Sequence, residues 1–437
     1  MSEIKFDLTQ KTGEFKVLNA TNGGPWHKRH AVDQYRSNFE DYKAARIPYS
    51  RNHDSWFCSI YGGPFSHDIT AIFPNFDADV NDPASYDFAC TDENILMTLE
   101  AGTETFFRLG ESIDHRITKH NICVPKDFKK WAEICEHIIM HYNEGWAEGY
   151  HLNIQYWEIW NEPDLDMEDA DYRRTWTGTY AQFYDMYEIT AKHLKERFPN
   201  LKIGGPAICG RVEWADVFLG EMARRNVPID FFSWHIYCKE PEHMLRRAQE
   251  VNDIMVKHGY GDAESILNEW NYVRGWQKDF VYSIKAITGL KGAAFTMSCI
   301  SEAQYTDNID MLMYYDTRPG AFCGAFDLYT YEKLKGYYPL YWYGKFYDME
   351  TSVLCTQRPE NVYTLCGVDK DGKAMAVVTH YSEDDETPAI DISVDFGKEG
   401  KYEIYRVDKE CNGELVETAS ELNFNLPVHS FVLIKEI

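Results

Sequence analysis

Residues 154–164 read Ile-Gln-Tyr-Trp-Glu-Ile-Trp-Asn-Glu-Pro-Asp, and the way this run ends decides the fold. It begins apolar and aromatic, the composition of a short buried strand. It stops at Asn161-Glu162-Pro163, where proline has no N–H with which to extend a ladder. An amide and a carboxyl side chain therefore sit at the C-terminal end of a strand. A carboxylate there is badly placed for stability, but in a parallel α/β sheet or barrel that end is where ligands bind. The run Ser265-Ile266-Leu267-Asn268-Glu269-Trp270 repeats the pattern, an apolar strand ending in Asn-Glu. Two strand-end glutamates point to a two-carboxylate site.

Outward from these runs the chain alternates regularly. A strand around Phe15–Leu18 leads into the turn-rich Asn22-Gly23-Gly24-Pro25, and a helix is expected over 30–46, followed by a short strand at Ile47–Asp54. Residues 60–90 read as a long loop with Pro64, Pro74 and Pro83, a length usually reserved for function. Helices over 91–101, 127–144, 171–197, 212–225, 241–258 and 278–289 are each followed by an apolar strand, at 105–111, 154–160, 202–207, 229–237, 265–270 and 292–298. A last helix spans about 331–349. Eight strands, each followed by a helix, are the pattern of a (β/α)8 TIM barrel. After residue 351 the pattern shortens to alternating runs at 361–367, 373–380, 388–395, 402–407 and 429–435, separated by turns such as Asp369-Lys370-Asp371-Gly372. The expected division is an N-terminal strand, 1–15, joining a small C-terminal β-sandwich, 351–437, around a barrel formed by 16–350.

Composition narrows the partners. A formal net charge of −26 argues against nucleic acid and anionic membranes, and no run of 18 apolar residues exists to span a bilayer. Residues 1–20 carry no apolar core of a secretory leader. The eleven cysteines are scattered and lack a CxxC pair, which fits reduced thiols in a cytoplasmic protein. His137 and His141 are four apart but lack the glutamate of HExxH, so a zinc site is not expected. No Walker loop and no GxGxxG follow a strand, so nucleotide binding has no support. Aromatics at 15 %, with 30 Tyr and 12 Trp, suit sugar stacking and large cores equally.

The chemistry that fits is glycoside cleavage. A retaining glycosidase needs one carboxyl to protonate the leaving oxygen and a second, about 5 Å away, to attack the anomeric carbon. Glu162 and Glu269, on the fourth and seventh strands of a small barrel, meet that need, and Asn161 is placed to hold the sugar 2-hydroxyl. An inverting two-carboxylate hydrolase and a non-catalytic carbohydrate-binding protein are the competing readings.

Across nearly its whole length the chain resembles the clan A glycoside hydrolases, and within them family 39, the β-xylosidase and α-iduronidase group. The resemblance rests on Trp157-Glu158-Ile159-Trp160-Asn161-Glu162-Pro163-Asp164, Asn22-Gly23-Gly24-Pro25, Arg51-Asn52-His53-Asp54, Asp87-Phe88 with Thr91-Asp92 before Ala101-Gly102, and Ser233-Trp234-His235-Ile236-Tyr237. It implies a barrel with an attached β-sandwich, no metal and no cofactor. It implies an oligosaccharide or glycoside substrate attacked from its non-reducing end, with β-xyloside first and β-glucoside, β-galactoside or arabinoside as alternatives. Glu162 becomes the acid/base and Glu269 the nucleophile. Tyr237 resembles a tyrosine that donates to the nucleophile, His235 and His53 resemble sugar contacts, and Arg51 matches a position where a cation keeps Glu269 ionised. Trp234 and Trp270 read as barrel packing. The chain departs from the family at Arg108-Leu109-Gly110-Glu111-Ser112, where xylosidases are more apolar. It departs again at the expected eighth strand, where Phe295 replaces a tryptophan and only Glu302 stands for a pair of sugar-binding glutamates. Whether the chain forms a homo-oligomer is left open at this level.

Overall fold

A computed structural model of the chain describes residues 1–28, 36–55 and 65–437. Part of the expected helix 30–46 and the first residues of the expected loop 60–90 lie outside the described residues. In chain order the elements are β1 (Ser2–Gly13), β2 (Val17–Asn22), a two-stranded ribbon of β3 (His27–Lys28) and β4 (Arg36–Ser37), α1 (Phe39–Ala45), β5 (Tyr49–Arg51), α2 (Ile69–Ile72), α3 (Ala89–Glu100), β6 (Glu104–Leu109), α4 (Phe128–Asn143), β7 (Tyr156–Ile159), α5 (Tyr180–Arg197), β8 (Lys202–Ile208), α6 (Val212–Arg224), β9 (Phe231–Cys238), α7 (Pro241–Lys257), β10 (Glu264–Tyr272), α8 (Phe280–Ile287), α9 (Leu290–Gln304), β11 (Met311–Tyr314) and α10 (Tyr337–Lys345). Strands β2, β5, β6, β7, β8, β9, β10 and β11 close into an eight-stranded barrel. Every neighbouring pair in it is parallel.

Period-two alternation sorts the strand residues. Ala20, Phe106, Phe231, Ile266, Met311 and Met313 fill the barrel interior, with Val17, Tyr49 and Tyr156 packed against them. The residues between them, such as Phe107, Leu109, Trp157, Phe232, Trp234 and Leu267, face the surrounding helices and join the main core. Trp270 lies in that core as well, so Trp234 and Trp270 are packing residues. Parity then puts Arg51, Arg108, Glu158 and Ser233 on the inward face one step nearer the C-terminal end of the barrel than the apolar plug, with His235 and Tyr237 one and two steps further along β9.

The rest of the chain builds β12 (Thr351–Gln357), β13 (Val362–Val368), β14 (Ala374–His380), β15 (Ile390–Asp395), β16 (Tyr402–Val407), β17 (Asn412–Ala419), β18 (Asn423–Leu426) and β19 (Ser430–Glu436). These strands form one curled, mixed sheet in the order β17-β16-β19-β14-β13-β12-β1-β15-β18. The N-terminal β1 lies antiparallel to β12 and parallel to β15. Its strands are two-faced. Val362 and Cys366 enter the core of the curled sheet, while Tyr363 and Leu365 enter the main core beside the barrel helices. Phe295 of α9 meets Tyr381 at 5.6 Å, and Trp342 of α10 meets Phe431 at 5.1 Å.

The eighth barrel strand is not where the sequence placed it. Gly292–Ser298 lies inside helix α9, and the strand is β11, Met311–Tyr314. The helix is buried on nearly all sides between barrel and sheet, so its sequence shows no polar stripe. A short apolar run of that kind has no period to tell strand from helix. Helix α5 also starts later than expected, at Tyr180, behind a Thr179–Gln182 capping box. Residues 160–179 instead run over the C-terminal end of the barrel.

Candidate active site

The turn after β7 carries the first glutamate. Trp160 and Glu162 both hold left-handed backbone, with φ of 76° and 48°. Such conformations cost on the order of 1–3 kcal/mol each and persist where the surroundings fix them. Here Trp160 N donates to Leu109 O at 2.7 Å, Glu162 N to Ala207 O at 2.9 Å, and Thr175 Oγ1 to Glu162 O at 2.6 Å. Across the barrel, β10 carries a register shift between Leu267 and Glu269, which turns Glu269 inward beside His235.

The two carboxyls meet at the centre of the C-terminal end. One oxygen of Glu162, one of Glu269 and a ring nitrogen of His235 all lie within 4.8 Å of one another. His235 Nδ1 and Glu162 Oε1 share a hydrogen bond of 2.8 Å, and the same nitrogen is 3.6 Å from Glu269 Oε2. Tyr237 donates to Glu269 Oε1 at 2.5 Å. Arg51, with no exposed surface, ties the site together. Its Nε donates to Glu158 Oε2 at 2.7 Å, Nη2 to Asn161 Oδ1 at 2.6 Å, and Nη1 to Asn22 Oδ1 at 3.2 Å and Glu269 Oε2 at 3.4 Å. Glu158 in turn accepts from Ser233 Oγ and Asn268 Nδ2. A buried guanidinium with that many carboxylate and amide partners fixes every side chain it touches.

These surroundings set the proton positions. Burial, then Asp164, pushes Glu162 up to about 8. Glu269 is pushed up to about 7 by burial and by Glu162, while His235, Arg51 and the Tyr237 hydroxyl pull it down. Burial pushes His235 down to about 4, so its ring is neutral near pH 7. Of the two carboxyls, Glu269 has the donors that favour a charge and Glu162 the buried carboxylate neighbour that favours a proton. The same three side chains are the one metal-like cluster among the described residues. The positive charge that an ion would supply is already delivered to Glu269 by Arg51.

Several expected residues converge here: Glu162, Glu269, Asn161, Arg51, His235 and Tyr237 are in mutual contact, and His53 follows Arg51 with only 1 % exposure. Three of their atoms, His53 Nδ1, Asn161 Nδ2 and His235 Nε2, are buried without a hydrogen-bond partner. A buried polar atom without a partner is costly and is free to bond a group that enters beside it. Glu302 does not converge. It sits in the last turn of α9, on the outer layer facing the sheet domain, where it pairs with Arg358 at 2.5 Å. The error follows from the misplaced eighth strand: α9 runs back along the outside of the barrel, so its final turn lies at the barrel's other end, near the start of β2, where Lys16 Nζ donates to Ala303 O at 3.2 Å.

The sequence reading missed Glu158, Asp54, Asp164 and the true strand end Tyr315-Asp316-Thr317-Arg318. Glu158 was legible, since it alternates with the inward Tyr156 on β7. Asp164 is buried and accepts from Cys209 N at 2.9 Å. Asp54 accepts from Tyr315 at 3.2 Å, and Arg318 Nη1 donates to its carbonyl at 2.8 Å. Beside them opens a cavity of about 420 Å3 lined by Trp26, Asp54, Phe65, Ile113, Arg318 and Leu328. Trp276, 53 % exposed, packs edge-on against Tyr237 with ring centres 4.9 Å apart. A larger cleft, about 1050 Å3, lies at the seam with the sheet domain. Two pairs of its polar groups, Tyr363 with Glu242 and Arg274 with Glu383, bond to one another across it.

Comparison with known proteins bears on the family and the fold. Residues 40–267 match the model of glycosyl hydrolases family 39. A β-xylosidase of Geobacillus stearothermophilus is 30 % identical over 199 residues, an alignment that takes in 43 % of this chain and 38 % of that protein. Among solved structures, a glucosidase from Croceicoccus marinus superposes with a TM-score of 0.80 at 22 % identity, covering 100 % of this chain and 99 % of that one. A monomeric β-xylosidase from Caulobacter crescentus CB15 superposes at 0.71 with 16 % identity, covering 100 % and 99 %. No helix among the described residues is long and apolar enough to cross a membrane.

Proposed function

Because the chain belongs to glycosyl hydrolases family 39, we propose that it hydrolyses glycosides from their non-reducing end by a retaining double displacement, with Glu269 as nucleophile and Glu162 as acid/base. The carrying observation is the pair of carboxyl oxygens within 4.8 Å of each other. An inverting pair stands about 6.5–9.5 Å apart to leave room for water, so this spacing favours direct attack. In the first step the Glu269 carboxylate bonds to the anomeric carbon. The glycosidic C–O bond breaks, and the Glu162 proton passes to the leaving oxygen. In the second step Glu162, now a carboxylate, takes a proton from water, whose oxygen bonds to the anomeric carbon as Glu269 leaves.

The supporting residues have roles in this scheme. Arg51 and Tyr237 favour the ionised form of Glu269, offsetting part of the rise that burial imposes, and Asn161, His53 and His235 present their unpartnered nitrogens to sugar hydroxyls. The substrate reading puts a β-xyloside first, as in the Geobacillus relative; a β-glucoside is second, in line with the Croceicoccus neighbour. A non-catalytic carbohydrate-binding role is disfavoured because both carboxyls and their charge partners are intact. The test is a panel of nitrophenyl glycosides of xylose, glucose, galactose, arabinose and glucuronic acid, with proton NMR of the first sugar released. At least one β-glycoside should be cleaved with the β-anomer appearing first. No turnover across the panel would overturn the hydrolase reading, and an initial α-anomer the retaining mechanism.

A further inference from the structure

We infer that Arg108 is a specificity-determining residue of the sugar pocket, one that reads hydroxyl oxygens of a neutral glycon through its Nε and Nη1 donors; this rests on the hydrolase reading above.

Arg108 is the last inward-facing residue of β6, two positions beyond Phe106 of the interior plug. Strand register sets it beside Glu158, and Glu158 holds Arg51. On its other side, Arg51 is the register partner of Phe106, which brings His53 level with Arg108. Arg108 N donates to Asn52 Oδ1 at 2.8 Å, fixing this alignment. Arg108 therefore belongs to the ring of inward side chains that holds Glu158 and Arg51, and Arg51 reaches Glu269.

Two other arginines near this ring have their nitrogens engaged. Arg51 spends Nε, Nη1 and Nη2 on Glu158, Asn22, Glu269 and Asn161. Arg318 spends its three on Asp316 and the Asp54 carbonyl. Arg108 engages only Nη2, with Asp68 Oδ1 at 2.7 Å and Ser112 Oγ at 3.3 Å. Its Nε and Nη1 are buried with no partner, and the residue has no exposed surface. Three N–H groups thus stand without an acceptor on the side chain where five are available. Buried donors are otherwise almost always satisfied.

The charge around Arg108 selects the acceptor. Asp68 already balances the guanidinium, and it is held by Ser112 N and Oγ, each at 2.9 Å. Glu111, the next carboxyl along, is pushed well above the usual range by burial and by Asp68, and its two oxygens are taken by Thr70 N at 3.0 Å and Thr70 Oγ1 at 2.7 Å. An incoming carboxylate would meet a balanced pair beside two further acidic groups, Glu158 and Glu269. A hydroxyl oxygen satisfies the donors without adding charge. Asn161 is assigned to the 2-hydroxyl, so Arg108 is left the 3- or 4-hydroxyl of a pentose, or the 3-, 4- or 6-hydroxyl of a hexose.

The experiment measures kcat/KM of the wild type, Arg108→Gln and Arg108→Lys on the preferred nitrophenyl glycoside and on its 3- and 4-deoxy analogues, with the 6-deoxy analogue added for a hexoside. Both variants should lose about ten- to a hundredfold on the parent, and less than about threefold on the one analogue that lacks the hydroxyl Arg108 reads. Lysine keeps the charge beside Asp68, so it serves where the glutamine variant does not fold. A loss that is the same on the parent and on every analogue would mean a purely structural arginine and would overturn the inference. A wild type that cleaves nitrophenyl glucuronide better than any neutral glycoside would overturn it as well. A wild type that cleaves none of the glycosides would overturn the hydrolase reading and Arg108's role together.

Discussion

Glu162 and Glu269 are chemically identical side chains that the fold treats differently, and the difference is testable by pH. Glu162 is raised from 4.5 to about 8 and Glu269 to about 7, with Glu162 among the causes that raise Glu269. With the higher of the two values, Glu162 keeps its proton while Glu269 ionises, so in Glu162→Gln the acid limb of the pH–rate profile, which reports Glu269, should persist, and the basic limb, which reports loss of the Glu162 proton, should flatten. Substrates with poor leaving groups should lose most, because they need the proton; an equal loss for nitrophenyl and alkyl glycosides would count against the acid role. Stability carries the same sign. A carboxyl with a raised folded pKa gives stability that is fully present below about pH 4.5 and is lost as the pH rises to about 8. Glutamine has no such loss, so the Tm of Glu162→Gln relative to wild type should increase between pH 5 and pH 8, by about 2 °C or more. These two residues were legible in the sequence because each ends an apolar run with Asn-Glu. Arg108 and Asp164 were not, since their meaning depends on Asp68 and Cys209, partners 40 and 45 positions away that no local pattern reveals.

At the level of elements, the active geometry depends on how the ends of β6 and β7 touch. A Cβ on Gly110 would lie 2.9 Å from Trp160 Cα, a backbone atom that cannot swing aside. Gly110→Ala should therefore push the Trp160–Glu162 turn outward. We expect kcat to fall tenfold or more, with a stability loss of about 1–3 kcal/mol from overpacking. Unchanged kinetics in that variant would mean that the turn tolerates displacement and that its left-handed residues are not tightly held. The elements themselves were mostly readable, because amphipathic helices such as α4, α6 and α7 carry the 3.6 period and the strands between them are short apolar runs. The reading failed at α9, where burial on all sides erased the period, and that single error displaced the eighth strand by about 20 residues, from Gly292 to Met311.

For the whole molecule, the sheet domain is bonded to the barrel along α9 and α10, and Glu302 belongs to that seam rather than to the sugar pocket. Its partner Arg358 is 35 % exposed, and ion pairs of that exposure contribute about 0–1 kcal/mol. Glu302→Ala should accordingly leave kcat/KM within about twofold on every glycoside that the wild type cleaves, with little change in Tm; a tenfold loss would return Glu302 to the substrate site. The barrel's C-terminal end holds the two carboxyls, the arginine network and the unpartnered nitrogens in one place, and the central claim is that Glu269 there forms a covalent bond to sugar. The most direct measurement is peptide mass mapping after inactivation with an activated 2-deoxy-2-fluoroglycoside of the preferred sugar, which slows release of the glycosyl enzyme. The account predicts one added fluoroglycosyl group, on the peptide that carries Glu269 and absent from Glu269→Ala. An adduct on any other residue, or turnover that never yields an adduct and releases the inverted anomer, would contradict it.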